Sequence, residues 1–359
     1  MTRDGLWVHY ATRAELEAAG AGSGAGSGAS AGAAASGFAD VLGIARLADA
    51  AAPGRLPLKV GASLGSDDIP LVQVAARPLG AEHELYEVWR SASRVSRGRS
   101  GPVRYAADGR ILFGALSVEH DGGSLGTSTE AAYIEIFRSL EASHYPHLLR
   151  TWNYFPGINR EAEGVERYRQ FNSARQRAFR SARREIRGNV PAACALGTHG
   201  GDALVIYFLA GIEAGLAIEN PRQVPGYDYP REYGESSPTF ARAAMVAAPE
   251  PILFVSGTAS IRGSRSMFPG DVRAQTRETV ANLRTLVEAA NRVAGRAQFA
   301  AETLRYKVYL RRAEDATAVA GEIAAGLDTR FPLLYLEADI CRAELLVEIE
   351  ALGLGHAAR

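Results

Sequence analysis

The 359-residue sequence predicts an α+β protein made of two sheet-plus-helices units in one chain. Three observations lead there. Strand-like runs precede a long helical run in the first half, and the same order returns in the last third. The length is generous for one hydrophobic core and comfortable for two. The closing segment, LLVEIEAL, alternates: Leu346, Glu348 and Glu350 share one face, Leu345, Val347 and Ile349 the other. The expected division is 1–190 and 191–359, with the glutamate-bearing strand in the second unit.

Residues 20–37 are almost pure Gly, Ala and Ser, which have little to bury and much entropy to lose, and read as a surface loop. PLKVGASLG, DIPLVQVAARP and HELYEVWRS read as strands bounded by Gly and Pro. RYAADGRILFGALSVEH reads as a hairpin, because Asp108-Gly109 supplies turn residues that tolerate positive φ. STEAAYIEIFRSLEAS has helical spacing, with Ala131, Ile134, Phe137 and Leu140 on one face. Trp152, Tyr154 and Phe155 lead into a Pro156-Gly157 turn. GVERYRQFNSARQRAFRSARREI follows as a helix dense in arginine.

PAACALGT and DALVIYFLAG read as buried strands, the second carrying Tyr207 among Ile206, Phe208 and Leu209. IENPRQVPGYDYPREYGESSPTFAR is too long for a mere connection. Ordered loops of that length tend to be functional. It holds Arg222 and a candidate lid, residues 226–234. PILFVSGTASI and LRYKVYLRR then read as strands around the helix FPGDVRAQTRETVANLRTLVEAAN. DATAVAGEIAAGL is a second helix, and LLYLEADI and LLVEIEAL close the chain as strands.

Forty basic and forty acidic residues give a formal net charge of zero, so nothing global steers the chain to nucleic acid or an anionic membrane. The arginine-rich helix reads as a charged face paired with acids and water. Tyr168 and Arg175, two turns apart on one face of it, are reserve candidates for holding a carboxylate. Two cysteines, Cys194 and Cys341, are too few for a secreted disulfide framework. No apolar run approaches the roughly 20 residues that span a bilayer. The N-terminus lacks a signal peptide's apolar core. A cytoplasmic protein is expected. No His/Cys/Asp cluster has metal-ligand spacing and no Gly-rich phosphate loop follows a strand, so no metal and no organic cofactor are expected.

Glu348 admits two readings. It lies on the solvated face of an edge strand, or it lies in a cleft. Apolar walls disfavour a carboxylate's charge, raise its pKa, and turn it into a general acid.

Two sets of motifs carry a resemblance. FVSGTASI, GDVRAQTRETVANLRTLVEAA and LEADICRAELLVEIEA together resemble the RidA (YjgF-type) superfamily across the last part of the chain. RTWNYFPGIN, ERYRQFN, VIYFLAG, ENPRQVPGYDYPREYG and SPTFARA resemble the chorismatase family over most of the chain from about residue 145. That resemblance implies two RidA-like units and cleavage of chorismate to pyruvate and a ring acid. Rid-type imine deaminases hold their substrate carboxylate with an arginine fifteen residues before the glutamate; that position is Leu333 here, with Arg330 nearby. The chorismatase likeness implies Glu348 as the catalytic acid. It makes Arg222, then Arg160, the carboxylate anchors, with Tyr154 and Tyr207 as hydroxyl donors. Gly257 in the SGTAS strand and Cys341, seven residues before Glu348, resemble the 3-hydroxybenzoate-forming type. The alternatives are a hydrolytic chorismatase giving a dihydroxycyclohexadiene carboxylate, and a non-catalytic RidA-like binder of small carboxylates. Only a small-molecule partner is expected, on a monomer or a homotrimer.

Overall fold

The computed structural model describes residues 5–21, 38–50, 69–80, 82–119, 124–247 and 251–355. Most of the Gly/Ala/Ser stretch and the strand expected over PLKVGASLG lie outside the described residues. The fold is α+β. A four-stranded sheet runs Leu6–Ala11, Glu84–Ser91, Val41–Ala48, Leu71–Val74. A six-stranded sheet runs Ala192–Thr198, His147–Pro156, Ala203–Gly211, Ile111–Glu119, Val103–Ala107, Ser96–Ser100. A seven-stranded sheet runs Leu216–Ile218, Ala243–Val246, Ile252–Ala259, Val347–Leu354, Arg305–Leu310, Leu334–Glu337, Arg77–Pro78.

Helices cover one face of each large sheet. Leu125–Ser143 and Arg167–Ser181 pack on the six-stranded sheet through Tyr133, Ile136, Phe137, Phe171 and Phe179. Val272–Ala294 and Ala316–Gly326 pack on the seven-stranded sheet through Val280, Leu283, Leu286, Val319 and Ile323. The opposite faces of all three sheets meet in one apolar cluster that includes Trp89, Phe113, Trp152, Tyr207, Phe254 and Tyr309. The expected boundary at 190/191 falls inside the six-stranded sheet. The strands Ala192–Thr198 and Ala203–Gly211 pair with the strand His147–Pro156 and belong with the first half. The change of sheet comes between Gly211 and Leu216.

Local chemistry sets the helix ends. Ser124 caps the helix Leu125–Ser143 by accepting from the Thr127 amide at 3.3 Å, and Asp271 caps Val272–Ala294 by accepting from Ala274 at 2.9 Å. Gly295 ends the latter at φ 68°, where glycine has no Cβ to strain. The buried face of Leu125–Ser143 differs from the expected one at its start. Ala132, Tyr133 and Ile136 are buried with Phe137 and Leu140, while Ala131 is exposed. Tyr133 decides this. Its hydroxyl donates to Asn153 at 2.6 Å and its ring meets Phe137 and Phe179. The arginine-rich helix is two-sided, with Phe171, Ala174, Arg175, Ala178 and Phe179 buried and Arg169, Arg177 and Arg180 exposed.

Candidate active site

The strand Val347–Leu354 is buried on both faces. Val347, Ile349 and Ala351 pack under the helices of the second unit, so Glu348 and Glu350 turn towards the other sheets. Glu348 is 4% exposed and sits in the wall of a cavity of about 420 Å³ between the two units. Gly257, Ala259 and Ile261 form one wall of that cavity, Cys341–Glu344 another. Tyr168 and Arg169 come from the first unit, and Tyr229, Tyr233, Phe240 and Arg242 from the long loop.

Burial pushes the Glu348 carboxyl up to about 8, with the nearby Glu350 charge adding to the rise and Arg150, Arg242 and Arg311 opposing it. Glu348 is therefore mostly protonated at neutral pH. The room for it comes from Gly257. Pairing between the strands Ile252–Ala259 and Val347–Leu354 shifts register between Val255 and Thr258, a bulge that includes Ser256 and Gly257. Ser256 ties the bulge across to the first unit, accepting from Ala193 N at 2.9 Å and donating to Ala241 O at 2.6 Å. A Cβ on Gly257 would overlap the Glu348 carboxyl and come within 3.2 Å of Cys194 Cβ. Cys341 is held by Arg311, which donates to the carbonyls of Ile340 at 3.0 Å, Arg342 at 3.0 Å and Leu345 at 2.8 Å. Burial pushes the Cys341 thiol up to about 12, with Glu348 adding to it, so the group stays protonated and serves as a small polarizable wall.

Two buried guanidiniums, Arg242 at the cavity and Arg175 at an adjoining chamber, have no carboxylate within ion-pair distance among the described residues. Arg242, 3% exposed, donates to Tyr229 Oη at 2.7 Å and to Val224 O at 2.8 Å, and its Nε is unpaired. Arg175, 2% exposed, donates to Thr239 O, rests 4.9 Å from the Tyr133 and Phe179 ring centres, and also has an unpaired Nε. Arg175 lines a chamber of about 40 Å³, together with Asn153, Asn172, Cys194 and Glu348, enough for a water molecule. Arg242 has the partly buried Glu219 carboxyl nearby as an electrostatic partner beyond ion-pair distance. A buried cation so weakly compensated is costly, and an anionic ligand relieves that cost. Arg342 forms the outer rim, its guanidinium 4.0 Å from the Tyr233 ring centre and 5.1 Å from that of Tyr229.

The family model "Chorismatase FkbO/Hyg5-like, N-terminal" matches residues 87–210. Over 293 residues the chain is 37% identical to the 3-hydroxybenzoate synthase of Streptomyces hygroscopicus, spanning 79% of this chain and 84% of that one. The chain belongs to the chorismatase family. It is also 34% identical over 298 residues to a chorismatase of the same organism, covering 80% of this chain and 86% of that one. A crystal structure of a chorismatase aligns with 98% of this chain and 99% of its own, at TM-score 0.81 and 28% identity. The crystal structure of yeast Mmf1 aligns with 40% of this chain and 100% of its own, at TM-score 0.30 and 10% identity.

Within this chorismatase-family chain, Glu348, Gly257 and Cys341 come together at the cavity with the reserve candidate Tyr168, and the other reserve candidate, Arg175, lines the small chamber next to it. The four residues expected to bind substrate lie elsewhere. Tyr154 shares a 2.7 Å hydrogen bond with Tyr309 in the core between the sheets. Tyr207 donates to Glu87 at 3.0 Å and accepts from Lys307 at 3.2 Å. Arg222 pairs with Glu278 and donates to Asn282 Oδ1 at 2.8 Å, which commits it to the helix Val272–Ala294. Arg160 is exposed in the turn after the strand His147–Pro156, folded along Gly157. Their charges and hydroxyls are spent on protein partners or on solvent. Sequence reasoning passed over Arg242, Arg342 and Phe240, although Phe240 and Arg242 stand in the quoted motif SPTFARA.

Proposed function

We propose that the protein cleaves the enolpyruvyl ether of chorismate to 3-hydroxybenzoate and pyruvate, with Glu348 as general acid. One observation carries this reading: a carboxyl held near pKa 8 opens on a cavity beside buried arginines that have no carboxylate within ion-pair distance among the described residues. Chorismate brings two carboxylates, which suit Arg242 and Arg175 as anchors, because a guanidinium fork fixes a carboxylate's orientation as well as its affinity.

The ether resists hydrolysis because its vinyl carbon is a weak base. Glu348 gives its proton to the methylene carbon, the C=C electrons form the new C–H bond, and an oxocarbenium ion results. General acid help of this kind is worth about 10²–10⁴ in rate. The Glu348 carboxylate left behind then faces the cation it created. The neighbouring ring hydroxyl captures the cation and its proton returns to Glu348, giving a cyclic ketal. Loss of the proton on the ether-bearing ring carbon, with breakage of the former hydroxyl's bond to the ring, aromatises it. The hemiketal left collapses, breaking the original ether's bond to the side-chain carbon, so that the phenolate takes up the proton shed and pyruvate leaves with no net water consumed. Gly257 and Cys341 set the product by leaving the acid close to the ring and the wall small. The curated relative named 3-hydroxybenzoate synthase supports this product.

Hydrolysis to the dihydroxycyclohexadiene carboxylate is the second reading, favoured by the small chamber beside Glu348 that has room for a water. Chromatography of the ring product after reaction with chorismate separates the two. ¹⁸O-water, with pyruvate trapped at once as lactate, tests the route independently. Unlabelled lactate with 3-hydroxybenzoate supports the proposal. Labelled lactate with only the non-aromatic diol overturns the product assignment, and absence of pyruvate overturns the activity.

A further inference from the structure

Two residues beyond Glu348, on the same face of the strand, Glu350 is also buried, at 5% exposure. Its carboxylate is saturated. Arg150 Nη2 donates to Oε2 at 2.5 Å, Trp152 Nε1 donates to Oε1 at 2.8 Å, and Lys307 Nζ lies 2.9 Å from Oε1. Lys307 is shared with Glu87, at 2.7 Å, and Glu87 accepts in turn from Trp89 and Tyr207. The cluster holds two anions, Glu87 and Glu350, and two cations, Lys307 and Arg150, inside the apolar contact of three sheets. Such clusters are poor investments for stability, since well-packed apolar residues do as well or better. A functional return is the better account of it.

We propose that Glu350 is a positioning residue for the reaction: a fixed, fully paired carboxylate that keeps the neighbouring Glu348 in its proton-carrying form. This rests on the reading of Glu348 as general acid. The geometry favours it because every hydrogen-bonding direction of Glu350 is used by groups on other strands, so its charge cannot swing away or be traded for a proton. Burial opposes that charge, yet Lys307 and Arg150 hold its carboxyl below the ordinary range. The other groups around Glu348 are accounted for by element. Tyr309 lies opposite it on the strand Arg305–Leu310, and Cys194 comes from Ala192–Thr198. Arg242 reaches it from the loop, Tyr168 and Arg175 from the first-unit helix, and Cys341, Arg342 and Glu344 from the preceding connection. Arg150 and Arg311 also act on it as cations, Arg150 the more strongly. Glu350 is the carboxylate that raises Glu348 most.

A general acid loses activity as pH rises through its pKa, so the alkaline limb of kcat for pyruvate release reports Glu348. Glu350→Gln is expected to move that limb down by about one pH unit, with KM little changed. Arg150→Gln, which removes a cation, is expected to move it up. A purely structural role does not give opposite signs. Should the single variants fail to fold, Glu350→Gln with Lys307→Met removes one charge of each sign. It again moves the limb down, because Glu350 is the nearer charge. A limb that stays in place in Glu350→Gln, or in the double variant, overturns the inference. Glu348→Gln is measured alongside. Its turnover at wild-type levels overturns the acid assignment itself, whereas an inactive Glu348→Gln with an unmoved limb overturns only the role of Glu350.

Discussion

Glu348 and Glu350 stand two residues apart on the same strand and face, both nearly inaccessible to solvent, and the fold gives them opposite chemistry. Across the strand from Glu350 is Lys307; across from Glu348 is Tyr309, whose hydroxyl is already taken by Tyr154. Glu350 receives a lysine, an arginine and an indole N–H. Among the described residues none donates a hydrogen bond to the Glu348 carboxyl. One carboxyl is therefore ionised and immobile, and the other is neutral and faces a cavity. Burial alone does not make an acid. Burial without partners does, and a saturated neighbour sharpens it.

The largest test of this contrast is stability. Glu350→Gln strands the buried Arg150, while Lys307 keeps Glu87, and should cost about 3–5 kcal/mol of unfolding free energy, read by denaturant melts at pH 7. Glu348→Gln should not destabilise at all, and equal losses in both variants would erase the distinction. Next in size is binding. Arg242→Ala should raise KM for chorismate by an amount worth about 2–5 kcal/mol. Arg222→Ala should leave KM within twofold or so, because Arg222 serves Glu278 and Asn282. The reverse order of effects would return the anchoring role to the loop arginine. Gly257→Ala should displace the Glu348 carboxyl and lower kcat by roughly 10²-fold, with any remaining flux diverted towards the diene diol. Steady-state rates with product chromatography check this.

The smallest effect is a pH-dependent one. The Glu348 pKa rises from 4.5 to about 8 on folding, so its proton stabilises the folded state fully below 4.5 and that contribution is lost as pH rises through 8. Glu348→Gln should match wild type near pH 4.5 and exceed it by about 2 kcal/mol at pH 6. A gap that narrows with rising pH contradicts a protonated Glu348.

How much of this is legible in the sequence follows from range. The alternation around Glu348 and Glu350 is local, so a period of two suffices to place both on one face. The order of strands and helices is local too, and so is the Asp108-Gly109 hairpin, whose Gly109 has φ 88°. The motif blocks put Gly257 and Cys341 beside the same glutamate. Partner choice is not local. Tyr207 finds Glu87 at a separation of 120 residues, Arg222 finds Glu278 at 56, and Arg150 finds Glu350 at 200. An arginine free for a ligand and an arginine already paired look alike in a sequence. Arg242 and Arg175 stand out only once every carboxylate around them has been placed. The helix face that begins at Ala132 instead of Ala131 has the same origin, because aromatic rings from a second helix decide it.

The most direct measurement is pyruvate release from chorismate, by wild type and by Glu348→Gln, across pH 5 to 9. The account predicts a wild-type rate that declines as pH passes about 8. It also predicts that Glu348→Gln is slower by about 10²–10⁴ at every pH while still binding the substrate. A Glu348→Gln rate within about tenfold of wild type, or a wild-type rate that climbs through pH 8, would contradict it.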